Sequence, residues 1–234
     1  MVNKKKLSNK INAFIFFTFC VFSFLFISFQ LHHYLDIRSY YLSKVQKITQ
    51  SISDSFHFYY HNAQNIALHD SVIKSKYRES SRYFDSLIAL YPDYEFILLT
   101  DTEGKLITLN SIGNDGRKIP YRALKGTDLS GTEWFKALKA DKNSNNIRKG
   151  IFGSHFEKLR ESKFAKEFLE RDVKGNYFST SVIDESGEVT GYLTTFVNHN
   201  WIESKSALID YDNTSMKKEL YVINLKEEII GFGE

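Results

Sequence analysis

Asn176 to Val197 reads NYFSTSVIDESGEVTGYLTTFV. Two runs rich in β-branched and aromatic residues flank Asp184-Glu185-Ser186-Gly187. Such side chains fit a pleated surface, and glycine tolerates the positive φ that tight hairpin turns require. The stretch therefore predicts a β-hairpin. The same pattern occurs upstream. Tyr94 to Thr100 (YEFILLT) predicts a buried strand, Asp101-Thr102-Glu103-Gly104 the turn, and Lys105 to Leu109 the return strand. A weaker copy spans Glu219 to Gly231: Tyr221-Val222-Ile223, a turn around Asn224 to Glu227, then Ile229-Ile230, with Glu227 in place of the turn glycine. A helix is expected at about Trp201 to Ile209, so this copy reads as the opening of another domain.

Ahead of the hairpins the period changes. From Leu31 to about Ala67, apolar residues recur at Tyr34, Tyr41, Val45, Ile48, Ile52, Tyr59, Ala63 and Ile66, mostly in three- and four-residue steps, with no Pro or Gly between. Twenty-five residues of helix span about 38 Å, so this element would act as a stalk. Its stripe needs a partner, either a second helix of the same chain or the equivalent helix of a second copy. Asp70 or Ser71 reads as a new N-cap. A second helix then runs through Tyr83, Leu87 and Leu90 until Pro92 stops it.

The stalk follows Ala13 to Phe29, AFIFFTFCVFSFLFISF, which contains no charge and lies behind Lys4, Lys5, Lys6 and Lys10. With Leu31 it approaches the roughly 20 residues that a membrane-spanning helix needs. The lysines predict a cytoplasmic N-terminus and an outer-face remainder. A cleaved signal peptide also starts basic and continues apolar, but its apolar region is shorter and ends in small residues. Here Ser28-Phe29-Gln30-Leu31-His32-His33 follows, so the segment reads as a retained anchor.

The 234 residues carry a formal charge of +3. Setting aside the four N-terminal lysines leaves a slightly acidic remainder, which gives no argument for nucleic-acid binding. The single cysteine, Cys20, lies inside the apolar run. An outer-face domain without a disulfide must fold on packing alone, as ordinary periplasmic domains do. The fold class is α+β: an N-terminal transmembrane helix, a long stalk helix, and an antiparallel sheet with flanking helices.

The order of these pieces resembles the Cache sensor family, more narrowly the double-Cache type of bacterial chemoreceptors and sensor enzymes. The residues that carry the resemblance are Phe96-Ile97-Leu98-Leu99-Thr100-Asp101 with Gly104, then Ser130 to Leu138 around Trp134-Phe135, then Val182 to Leu193. It covers about Lys4 to Trp201. It implies a membrane-distal, PAS-like half that binds a small ligand and passes a helix displacement inward, across a dimer of stalk helices. The expected division is 1–10 cytoplasmic, 11–31 transmembrane, 32–92 stalk and second helix, 93–209 membrane-distal subdomain, and 210–234 the start of an incomplete membrane-proximal one. That incomplete half reads as a fragment of a longer receptor, the other possibility being a tethered module without its own effector.

The resemblance places the pocket over one sheet face, walled by Ser111 to Leu138. The implied ligand contacts are Tyr121, Arg122, Trp134, Phe135, Tyr177 and Ser179, the last two alternating on one strand. Aromatic groups and an arginine suit a small organic ion. Amino-acid-binding members carry Arg two residues before the Trp and Asp near the end of the last strand. Thr132 and Phe196 stand there, which argues against the standard amino-acid mode. Ser154-His155-Phe156-Glu157 reads as a capping box opening a helix through Leu159, Phe164, Phe168 and Leu169, packed on the sheet edge or lying over the pocket as a lid.

No G-x-S-x-G, P-loop or H-E-x-x-H motif occurs. His57 and His61 are four apart, but two helical histidines lack the ligand set of a metal site. The expectation is a non-enzymatic sensor with no cofactor, no metal and no nucleic-acid partner, forming a homodimer through the stalk. The competing reading is a membrane-tethered, non-signalling module that binds a partner protein.

Overall fold

The seven residues of β1 (Tyr94–Thr100) are all buried, a pattern that requires cover on both faces of the strand. The computed structural model, which describes residues 2–140, 154–206, 220–223 and 229–233, supplies that cover. β1 lies inside a five-stranded antiparallel sheet of order β2-β1-β5-β4-β3, formed with β2 (Leu106–Leu109), β3 (Ser154–Glu161), β4 (Lys174–Ile183) and β5 (Val189–Asn198). The two expected hairpins, β1–β2 and β4–β5, are both present. Their turns are built alike. Asp101 Oδ1 accepts from the amides of Glu103 and Lys105, and Asp184 Oδ1 from those of Ser186 and Glu188. Gly104 and Gly187 take φ of +85° and +94°, which a side chain would resist.

The chain divides into two compact units, Met1–Thr49 and Gln50–Glu234. In the first, helix α1 (Val2–Ala67) exposes Phe14, Phe16, Phe22, Phe26 and Phe29. It is the one helix, among the described residues, long and apolar enough to cross a membrane.

In the second unit, the α1 residues Phe56 and Tyr59 pack with Phe178 and Phe156 on one sheet face. Trp201, from α6 (Asn200–Ser206), meets Tyr59 there, and its indole N–H donates to Asn176 Oδ1 at 3.2 Å. The expected second helix is two: α2 (Asp70–Ile73) and α3 (Tyr77–Leu90). Ser75, at φ 49°, turns the chain between them. The N-cap of α2 is His69, whose ring nitrogen accepts from the Ser71 amide, one residue earlier than expected.

The opposite face carries Phe96, Leu98, Tyr177, Tyr192 and Phe196 under α4 (Glu133–Ala140) and α5 (Lys163–Phe168). β6 (Leu220–Ile223) and β7 (Ile229–Gly233) form a separate two-stranded sheet, as the third hairpin pattern predicts. The turn at Asn224 to Glu227, and residues 207–209 of the expected helix, lie outside the described residues.

One local reading is corrected. Ser154 to Glu157 opens no helix; it starts β3, paired with β4 through Phe156↔Phe178 and Glu157↔Tyr177. The serine that caps a helix is Ser162, whose hydroxyl accepts from the Ala165 amide at 3.0 Å and begins α5. The strand wins because Phe156 fills an aromatic cluster with Phe56 and Phe178. Burial of that ring outweighs a local cap of about 1 kcal/mol.

Candidate functional site

Alternation along β3 and β4 sends Glu157 and Tyr177 to the face opposite Phe156 and Phe178. There they meet α4, the Asp128–Thr132 loop and α5 around a cleft of about 350 Å³. Leu98, Leu129, Trp134, Phe164 and Tyr177 form its buried apolar base. Asp128, Glu133, Lys163 and Glu167 are exposed at its rim. Tyr177 donates or accepts at 2.7 Å with Ser162 Oγ, the same hydroxyl that caps α5. Burial pushes the Tyr177 phenol up to about 12, so it stays neutral.

Glu157 is the one buried carboxylate of this cleft among the described residues, its side chain 4% exposed. Arg160 Nε lies 3.4 Å from its Oε2, while Arg160 Nη2 reaches Glu133 Oε2 at 2.5 Å. Glu157 Oε1 has no hydrogen-bond partner among the described residues. His155 Nε2 stands 4.0 Å away, and burial lowers the His155 pKa below the usual imidazole range. Burial raises the Glu157 pKa above the ordinary carboxyl value, with Arg160 opposing, Glu133 adding to the rise, and the Trp134 amide opposing.

That rise has a stability consequence. Between the ordinary carboxyl pKa and the raised one, the folded chain holds more protons than the unfolded chain. Stability therefore falls as pH rises through that window, and the neutral acid is the better-tolerated form. Glu157→Gln, which keeps the shape without the charge, should stabilise the ligand-free chain at neutral pH. The expected gain is about 1–2 kcal/mol, the scale of an unsatisfied buried polar group. Urea unfolding of the full chain in detergent micelles checks it, and the gain should shrink as pH is lowered below the ordinary carboxyl range.

Of the six residues expected at the site, Trp134 and Tyr177 line the cleft. Phe135 is buried beside it, edge-on to Tyr192 at 5.1 Å. Ser179 is buried further along β4, accepting from the Thr194 hydroxyl at 3.0 Å. Tyr121 stacks on Tyr77 at 5.4 Å, and exposed Arg122 donates to the Tyr121 hydroxyl. These four do not line the cleft of Trp134 and Tyr177. Sequence reasoning missed Glu157 and Arg160. The signal was the alternation His155-Phe156-Glu157, polar and apolar by turns, which the capping-box reading overrode. No group of three His, Cys, Asp or Glu residues is placed to hold a metal, among the described residues.

No family model matches the chain, and no curated protein matches it by sequence. Solved structures do match by shape. The sensor domain of the V. cholerae histidine kinase DctB superposes with a TM-score of 0.54 at 12% identity, covering 86% of this chain and 68% of that one. The ligand-binding domain of the Pseudomonas fluorescens chemoreceptor CtaA, in complex with L-serine, gives 0.53 at 13%, covering 82% and 70%. That of the Campylobacter jejuni chemoreceptor Tlp3, with L-norvaline, gives 0.52 at 8%, covering 81% and 66%. The chain thus spans about two thirds of the length of these domains. At such identities the likeness is one of fold, and the fold is that of Cache/PAS-like sensor domains.

Proposed function

We propose that the chain is the sensing part of a membrane-anchored receptor whose sheet domain lies outside the cytoplasm and binds a small ligand in the cleft beside Trp134. In this reading the lysines ahead of the apolar run Ala13 to Phe29 stay in the cytoplasm. Residues 93–209 form the membrane-distal sensing unit, and residues 210–234 open a membrane-proximal one. The single observation that carries the proposal is the cleft itself: a concave, aromatic-based site of about 350 Å³ with a few charged groups converging on it. A module that only docks a partner protein would be expected to offer an apolar exposed patch instead.

A route to α1 supports the signalling half of the reading. Tyr59 donates to Asp93 at 2.5 Å, and Asn62 donates to the Tyr94 hydroxyl at 2.7 Å. Asp93 immediately precedes β1 and Tyr94 opens it, and Leu98 of the same strand lines the cleft. A ligand that favours one arrangement of the sheet would bias the helix bonded to it. Exposed Tyr34, Leu35, Tyr41, Leu42 and Val45 suit pairing with the same helix of a second copy.

The test is a thermal-shift screen of the full chain in detergent micelles against amines, amino acids, organic acids and purines. A ligand at a hundred times its Kd stabilises by about 2.7 kcal/mol, which for a domain of this size is a rise of roughly 5–10 °C. The shift should disappear in Trp134→Ala. If no class moves the midpoint, the sensor reading fails.

A further inference from the structure

We infer that the cleft is selective for small organic cations lacking a carboxylate, and that Glu157 is the group on which the cationic nitrogen docks. The inference rests on the ligand-binding reading of the cleft and adds the chemical class. Three observations carry it. First, Glu157 is buried with one carboxylate oxygen free of hydrogen bonds to any described residue. An acceptor left in that state is costly unless a donor comes to it. An ammonium or guanidinium brings donors and a compensating charge together.

Second, the groups that could hold an anion are engaged or outnumbered. Arg160 already spans Glu133 and Glu157. Asp128, Glu133, Glu157 and Glu167 face only Arg160 and Lys163 among the lining residues. A concave site with that balance focuses a negative potential, attracting cations and repelling a carboxylate. Third, the walls are Trp134, Phe164, Phe168 and Tyr177. Aromatic faces attract a cation and shelter its apolar body.

Matched pairs of amines and their parent amino acids isolate the carboxylate as the variable. Agmatine and arginine, tyramine and tyrosine, histamine and histidine, and isobutylamine and valine would each be titrated calorimetrically into the full chain in detergent micelles. At least one amine should bind, with its parent amino acid at least tenfold weaker. Glu157→Gln should weaken that amine by roughly 10–100-fold, the scale of a lost charge-assisted hydrogen bond. Glu157→Asp, which keeps the charge, should retain part of the affinity, and an unchanged circular dichroism spectrum shows that both variants fold. An amino acid binding as tightly as its amine overturns the assignment while leaving the ligand-binding cleft intact. So does amine binding that survives Glu157→Gln within threefold, or an organic acid that binds better to that variant. If no compound of any class binds the unmodified chain, the reading of the cleft falls, and this inference with it.

Discussion

Arg171→Met should lower the unfolding free energy by about 3–5 kcal/mol, among the largest effects of any single substitution in the sheet unit. Arg171 and Glu95 form a buried pair, with side chains 7% and 9% exposed and Nη1 3.2 Å from Oε2. Arg171 also reaches Asp115 and Asn114, and Glu95 accepts from the amides of Asn114 and Asn198. Removing one partner of such a pair leaves an uncompensated charge in low dielectric, which costs more than the pair itself contributes. The second variant separates these terms. Adding Glu95→Gln to Arg171→Met removes the stranded charge and should recover at least half of the loss. Urea unfolding of the full chain in detergent micelles reads both. A single-variant loss below about 1 kcal/mol would show that water already reaches Glu95, against the burial described.

Phe196→Ala should cost a similar amount, about 3–5 kcal/mol. Its ring is fully buried, parallel to Phe96 at 5.1 Å and tilted against Tyr177 at 4.6 Å. Truncation would open a cavity beneath the cleft and loosen Tyr177, so the same variant should also weaken any ligand that the cleft holds. A loss of stability under about 2 kcal/mol would mean that the neighbouring rings collapse into the space. The position matters for recognition as well. The Cache resemblance puts an aspartate there in amino-acid binders, and here the site is closed by packed aromatic rings.

What the sequence made legible was local. Each Asp-x-x-Gly turn announces itself because one carboxylate oxygen gathers two amides and one glycine takes a positive φ, all within five residues. The extent of β1 was readable for a different reason, the apolar run Phe96 to Leu99 within a segment bounded by Pro92-Asp93 and Asp101. The order of strands was not readable, because the pairing of β1 with β5 joins residues about a hundred positions apart. β3 was hidden by a competing local pattern. Ser154 and Glu157 have capping-box spacing, and only the distant Phe56 and Phe178 decide for the strand. Trp134 and Tyr177 reached the site list through the family resemblance. Glu157 and Arg160 did not, because a misread strand carries its outward-facing residues with it.

Helix α5, over the cleft, is fastened at both ends. Ser162 holds its first turn to Tyr177, and Arg171, just past its last, is locked to Glu95. A segment tied down twice resists swinging open as a flap, which leaves the half-buried ring of Phe168 as the aromatic wall residue freest to turn about its own bonds. Rotation of a partly exposed ring is far quicker than a hinge motion. In the proposed receptor, a cleft guarded by a turning ring would exchange its ligand faster than one closed by a hinged flap.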